Sequence, residues 1–186
     1  MTRNRLVAAA FEQFSTLGYA STTIDGIARA AGTSRATFYL HFTGKADALV
    51  AGWQDLRVSE VEELYRRLDA VEPLTVVALR SWLDDFLGYW ELHRNICVAS
   101  VDAQAFEPRL AASWVEGMEL TVTWVPQRSA VLGGGDDARI DLLLWLTQLE
   151  RAAYLWCVGA VDVKRDQLLD GLLRSSALAL RVDREG

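Results

Sequence analysis

The chain carries 186 residues, 51% of them hydrophobic and 24% charged, with a formal net charge of -6. That is ordinary globular composition, enough for one sizeable core or for a small domain attached to a larger one. The acidic balance argues against a non-specific nucleic-acid coat, and no uncharged apolar run reaches the ~18–20 residues that span a bilayer.

No N-terminal stretch has the charged start, apolar centre and cleavage site of a signal peptide, so a cytoplasmic location is expected, with no membrane partner. Cys97 and Cys157 lie far apart with no CxxC, and His41 and His93 are the only histidines. Buried thiols are expected from this, with no metal site and no cofactor. The charge is unevenly spread. Residues 1–50 hold five basic and three acidic side chains, a local +2 that leaves -8 on residues 51–186. A locally positive N-terminal piece on an acidic body suits a small anionic target.

The periodicity is helical nearly throughout, with no alternating strand pattern and no internal repeat. Leu6, Val7, Ala10, Phe11, Phe14 and Leu17 make one apolar stripe, and Gly18 is placed to end that helix. In "STTIDGIARAAG", Thr22 reads as an N-cap with Asp25 three residues on, and Ile24, Ile27, Ala28 and Ala31 supply the buried face. Gly32 ends this second helix, and Ser34 is placed to cap a third running to about His41. Two short helices joined by so brief a glycine-containing turn are the pattern of a helix-turn-helix.

A fourth helix is expected from near Lys45 to about Val71, with Asp47 in its first turn. A fifth, from about Leu74 to Leu92, carries Leu79, Trp82, Leu83, Phe86 and Trp90, and a shorter one covers about Ile96 to Ala105. Pro108 opens a long helix to about Val131, which Pro126 should kink. "GGGDD" (133–137) then breaks the chain, with Asp136 as the next N-cap, before two last helices at about 137–158 and 164–182. The expected fold is all-α with about nine helices. Residues 1–46 form a three-helix unit containing the helix-turn-helix, and residues 47–186 form a larger helical body.

The segment "YASTTIDGIARAAGTSRATFYLHFTGKADAL" resembles the DNA-binding head of TetR-family transcriptional regulators. The resemblance rests on Gly18-Tyr19, Thr22-Thr23, Ile27-Ala28, Ala31-Gly32, Ser34, Phe38-Tyr39, His41-Phe42, Lys45, Asp47 and Leu49, and covers about residues 5–50. Thr33, Ala36 and Gly44 depart from the family pattern. In the body, the Trp-rich fifth helix and "LERAAYLW" are similar to the subgroup of the mycobacterial repressor of ethionamide activation. The resemblance implies a repressor that binds a palindromic double-stranded DNA operator as a homodimer and is released by a hydrophobic or aromatic small molecule.

On the groove-reading helix, Arg35 is the best base reader, because its fork pairs bidentately with guanine O6 and N7; its alternative is a phosphate clamp. Ala36 is small enough to lie against a thymine methyl, and Ser34 is the cap. Thr37, Tyr39 and His41 fall at positions that contact phosphate in the family, and Thr22 and Thr23 are cap or phosphate candidates. Lys45, at a helix start, is expected to hold a phosphate together with the helix N–H groups.

The resemblance also implies that the last two helices form a four-helix dimer interface. Compatible stripes run through Leu142, Trp145, Leu149, Ala153 and Trp156, and through Leu168, Leu172, Ser175, Ala179 and Val182. Their alternative is intramolecular core. The family's ligand pocket would draw on Trp82, Phe86, Tyr89, Trp90, Trp114, Met118, Thr121 and Trp145; aromatic residues at helical spacing can equally be plain core. No GxSxG, HExxH or phosphate loop is present, so an enzyme is not expected. The remaining rival is a DNA-binding regulator without a small-molecule effector, controlled by a partner protein or by its own abundance.

Overall fold

The computed structural model describes residues 1–56 and 60–182, and every regular element among them is a helix. The order is α1 (Thr2–Ser21), α2 (Ile24–Ala30), α3 (Arg35–Tyr39), α4 (Lys45–Leu56), α5 (Glu62–Asp69), α6 (Val76–Leu92), α7 (Arg94–Gln104), α8 (Pro108–Val122), α9 (Pro126–Val131), α10 (Gly135–Cys157) and α11 (Arg165–Ala179).

Eleven helices are described where about nine were expected. Pro126 does not kink one long helix; it starts a new one after α8 has ended at Val122. A proline lacks the N–H that a continuing helix needs but fits the first turn, where that donor has no partner. The stretch expected to run unbroken from Lys45 to about Val71 contains both α4 and α5. Residues 57–59, where that continuity would be decided, lie outside the described residues. Asp136 is not an N-cap. Gly133, Gly134 and Gly135 all take positive φ (105°, 68° and 71°), Gly134 is the cap, and Asp136 and Asp137 fall in the first turn of α10. Their charges there complement the helix dipole.

The chain divides into two compact units, residues 1–59 with 93–114 and residues 60–92 with 115–186. The first unit is built on α1. Leu6, Ala10 and Phe14 recur at four-residue spacing and bury one face, and the helix breaks at Gly18 (φ 78°, ψ 160°) so that Tyr19 turns inward. Ile27, Ala28, Phe38, Phe42, Ala46 and Leu49 complete this core, with Ala99, Ala103 and Leu110 from α7 and α8. Gly52 brings α4 against α1: a Cβ built there would lie 2.1 Å from Phe11 Cε2. Polar contacts tie α7 and the start of α8 to the same unit. Ser15 Oγ donates to Asn95 Oδ1 at 2.8 Å, Trp53 Nε1 donates to Ser100 Oγ, and Arg109 pairs with Asp47 at 2.6 Å. Burial alone would raise the Asp47 carboxyl, but the Thr43 hydroxyl and amide and the Arg109 guanidinium hold it below its usual value.

The second unit packs α6 and α10 through their aromatic faces. Trp82 lies 5.3 Å from Tyr65, 5.7 Å from Phe86 and 5.7 Å from Trp145, centroid to centroid. Leu79, Leu83, Leu87, Leu142, Leu146, Leu149 and Leu172 fill the space around them. Arg165 at the start of α11 pairs with Asp84 and Glu91 on α6, and Arg80 pairs with Asp170. A buried charge cluster joins α5 to α9. The Asp69 carboxylate accepts from the Gln127 amide at 3.2 Å and the Arg128 amide at 2.9 Å, capping α9. The Arg128 guanidinium, only 2% exposed, donates to Val71 O at 3.1 Å and Glu72 Oε2 at 2.6 Å, with Nε 3.8 Å from Asp69.

Candidate nucleic-acid interface

The surface-presenting part of the first unit is the pair α2 and α3. Thr23 Oγ1 accepts from the Gly26 amide at 3.1 Å and caps α2. Ser34 Oγ accepts from the Thr37 amide at 3.1 Å and lies 2.9 Å from the Thr37 hydroxyl, capping α3 as its position in the sequence foretold. The turn between them is held by the Gly32 amide on Arg29 O and the Thr33 amide on Ala28 O. Arg5 reaches across from α1 and donates to Ala31 O. Hydroxyl caps and a carbonyl-capping arginine thus satisfy ends that two such short helices cannot satisfy themselves.

Phe38 is fully buried and anchors α3, which turns Arg35, Ala36 and Tyr39 outward. Arg35 is not idle. Its Nη1 donates to Asp25 Oδ2 at 2.8 Å and its Nη2 donates to the Tyr39 hydroxyl at 3.3 Å, with the guanidinium carbon 5.5 Å from the Tyr39 ring centroid. The hydrogen bond and charge of Asp25 raise the Arg35 pKa above its ordinary value. Thr23, Ser34 and His41 are also exposed, and Thr37 is half-buried. These seven side chains come together on one unit. Asp25 is a further member of this surface, though in the sequence it is marked only as an acid at a helix start; a carboxylate ten residues from an arginine gives no periodic signal when a turn intervenes.

Two expected members do not join them. Thr22 is 2% exposed, and its hydroxyl donates back to Gly18 O at 2.8 Å, so it neither caps α2 nor reaches the surface. Lys45 is turned inward. Its ammonium donates to Tyr19 O at 2.6 Å, Ala20 O at 3.2 Å and Thr22 O at 3.0 Å, and sits 4.4 Å from the Tyr19 ring centroid. All three N–H groups are spent on carbonyls at the C-terminal end of α1, which leaves none for a phosphate. Burial holds this ammonium below the usual lysine value, partly opposed by Glu107.

Beside this surface, within the same unit, lies a cleft of about 320 Å³. Phe42, Ala51 and Leu110 line it with Arg3, His41, Asp47 and Arg109.

The residues expected to line a ligand pocket are placed differently. Trp82, Phe86, Trp90 and Trp145 are buried and packed ring against ring. Trp82 Nε1 donates to Leu64 O at 2.7 Å and Trp145 Nε1 to Ser176 Oγ at 2.9 Å, so neither N–H is left for a ligand. Thr121 is buried with its hydroxyl donated back to Gly117 O at 2.9 Å. Tyr89, Trp114 and Met118 are half-buried, and Trp114 Nε1 is buried without an acceptor among the described residues.

Of the residues expected at a dimer interface, Leu149, Ala153 and Leu172 are at most 4% exposed within the second unit and have no surface to give a partner. They are core, because an amphipathic helix buries one stripe whichever molecule it packs on. Trp156, Leu168, Ser175 and Ala179 remain half-buried. The exposed apolar residues of these helices are others: Ile140 at 46%, Leu144 at 65% and Leu178 at 71%.

Residues 6–51 match the family model described as bacterial regulatory proteins, tetR family. The HTH-type transcriptional regulator SrpR of Pseudomonas putida is 46% identical over 50 residues, 27% of this chain and 24% of that protein. The HTH-type transcriptional regulator AcrR of Shigella flexneri is 33% identical over 78 residues, 41% of this chain and 36% of that protein. The chain thus spans between about a quarter and a third of the length of these relatives. Among solved structures, Thermus thermophilus FadR in complex with lauroyl-CoA has a TM-score of 0.67 at 21% identity, over 99% of this chain and 97% of that one. That likeness is one of fold. Both curated relatives are named as transcriptional regulators, neither as an enzyme. No helix among the described residues is long and apolar enough to cross a membrane.

Proposed function

We propose that the chain is a TetR-family transcriptional repressor of the cytoplasm that binds a palindromic operator as a homodimer. Residues 1–46 read the DNA, and residues 47–186 dimerise and receive the effector. The observation that carries this reading is the capped pair α2–α3, which presents Arg35, Ala36 and Tyr39 outward from an anchored Phe38. A helix held this way offers its N-terminal side chains to base edges in a major groove. Thr23, Ser34, Thr37 and His41 flank it as phosphate contacts, and Lys45 supports the unit from inside.

Dimerisation is supported by Ile140 and Leu144 on α10 and Leu178 on α11, large apolar side chains that lie open to solvent within one chain. Half-buried Trp156, Leu168, Ser175 and Ala179 would extend that face. A hydrophobic small molecule as releasing effector is supported by analogy with the lauroyl-CoA of Thermus thermophilus FadR. The Trp114 N–H, buried without an acceptor among the described residues, is an atom that a polar group on such a ligand would satisfy. The effector acts by binding better to the conformation that fits DNA worse. The ring-on-ring packing of Trp82, Phe86, Trp90 and Trp145 favours a second reading, a regulator that answers to a protein partner or to abundance. Thermal stabilisation of the full chain by long-chain acyl-CoA or by aromatic compounds separates the two.

The DNA reading is tested by selecting duplexes with a randomised core on the full chain. A two-fold symmetric motif is expected; a pool that stays random, or a lone half-site, overturns it. Arg35→Ala is then expected to weaken operator binding by about 1–3 kcal/mol and to relax preference at one position per half-site. Equal weakening on every sequence would make Arg35 a phosphate clamp.

A further inference from the structure

Asp25 is an acid placed where a polyanion is expected to dock. It stands in the first turn of α2, exposed, on the surface that carries Arg35. The helix dipole accounts for an acid at that end, but not for its partner. Asp25 Oδ2 reaches across the turn to the first residue of α3 and takes Nη1 of Arg35 at 2.8 Å. The Tyr39 hydroxyl takes Nη2 at 3.3 Å, and the guanidinium rests 5.5 Å from the Tyr39 ring centroid. Two points on two helices therefore hold the fork, and its remaining N–H donors stay available to a base edge.

We propose that Asp25 is a specificity-positioning residue: its carboxylate orients the Arg35 guanidinium for guanine and withholds it from backbone phosphate. The inference rests on the DNA-reading role proposed above. The physical basis is the difference in range between the two competitors. Attraction of a guanidinium to phosphate is largely Coulombic, is present at every step of the duplex and carries no sequence information. Pairing with Asp25 makes the net charge of the Arg35–Asp25 pair zero and weakens that attraction. Hydrogen bonding to guanine O6 and N7 is short-range and directional, so a neutral pair retains it. The carboxylate thus lowers the sequence-independent background while the tether to Tyr39 limits the directions the fork samples. Without Asp25, Arg35 becomes an unneutralised cation with phosphates on either side of the groove.

The test uses the full chain and the motif it selects from the randomised duplex pool. Asp25→Asn keeps the shape and removes the charge, and because Asp25 is exposed and α2 keeps its Thr23 cap, folding is not at stake. Binding is measured on the selected duplex, on the same duplex with the guanine opposite Arg35 replaced, and on an unrelated duplex, at several salt concentrations. Asp25→Asn is expected to reduce discrimination at that guanine by roughly fivefold or more. It should also tighten binding to the unrelated duplex and steepen the dependence of log K on log salt by about one. In the Arg35→Ala background the same change should leave base preference untouched. Unchanged discrimination and an unchanged salt slope overturn the proposal, leaving Asp25 as a helix-start acid. A shift of preference that persists without Arg35 also overturns it, since Asp25 would then be reading a cytosine amine itself. If the wild-type chain selects no motif, the DNA-reading role fails and takes this inference with it. If it selects one and Asp25→Asn discriminates as well as before, only the inference about Asp25 fails.

Discussion

Asp69→Ala lowers the stability of the second unit by about 3–5 kcal/mol, the range for removing one partner of a buried ion pair. Two losses coincide. The Gln127 and Arg128 amides at the start of α9 lose their acceptor, and the guanidinium of Arg128 is left in the interior facing only the exposed Glu72 carboxylate and the Val71 carbonyl. Arg128→Met should cost less, about 3 kcal/mol, because Asp69 loses the guanidinium but keeps its two amide donors, and the other groups left without Arg128 are the Val71 carbonyl and the exposed Glu72. The double variant should recover part of the Asp69→Ala loss, since no cation remains stranded, and the two effects should fail to add by about 1 kcal/mol or more. Denaturant midpoints of the full chain for the wild type, the two single variants and the double variant measure this. Strict additivity would show that Asp69 and Arg128 act independently, Asp69 as a plain cap.

Lys45→Met separates a structural lysine from a DNA-contacting one. The variant keeps the apolar stem and removes three charged hydrogen bonds to the end of α1, along with the ammonium above Tyr19. Hydrogen bonds to a charged donor contribute about 1.5–3 kcal/mol, and the site is only partly shielded, so a total loss of about 2 kcal/mol is expected. For a chain of this length that lowers the melting temperature by about 4–8 °C. The salt dependence of operator binding should stay as it was. An unmoved melting temperature with a flattened salt dependence would return Lys45 to the phosphate.

Much of the first unit was legible because its signals are local. A hydroxyl immediately before a helix has little else to do, and Ser34 caps α3 where its position said it would. Adjacent threonines are harder. Thr22 and Thr23 offer the same group one residue apart, and only the break at Gly18 decides that Thr22 turns inward and Thr23 takes the cap. Lys45 shows the same difficulty at longer range: its partners lie 23 to 26 residues earlier, at carbonyls that no side-chain pattern advertises. In the body, periodicity found the buried stripe of α10 through Leu142, Trp145, Leu149 and Ala153 but could not say which molecule covers it. The unpaired residues Ile140 and Leu144 lie on another face of the same helix, one that looks unremarkable in sequence because it is mixed with Thr147, Gln148 and Arg151.

The contact between Gly52 and Phe11 has a mechanical meaning for α4. The ring occupies the space a Cβ would need, so Phe11 sits in a notch cut into that helix. Rotating α4 about its axis by one residue would drive Ala51 or Trp53 into the ring, and sliding it would do the same with the next turn. Helices α1 and α4 are therefore keyed together like a shaft and its collar. A twist of α4 is resisted at this joint and bears on α1.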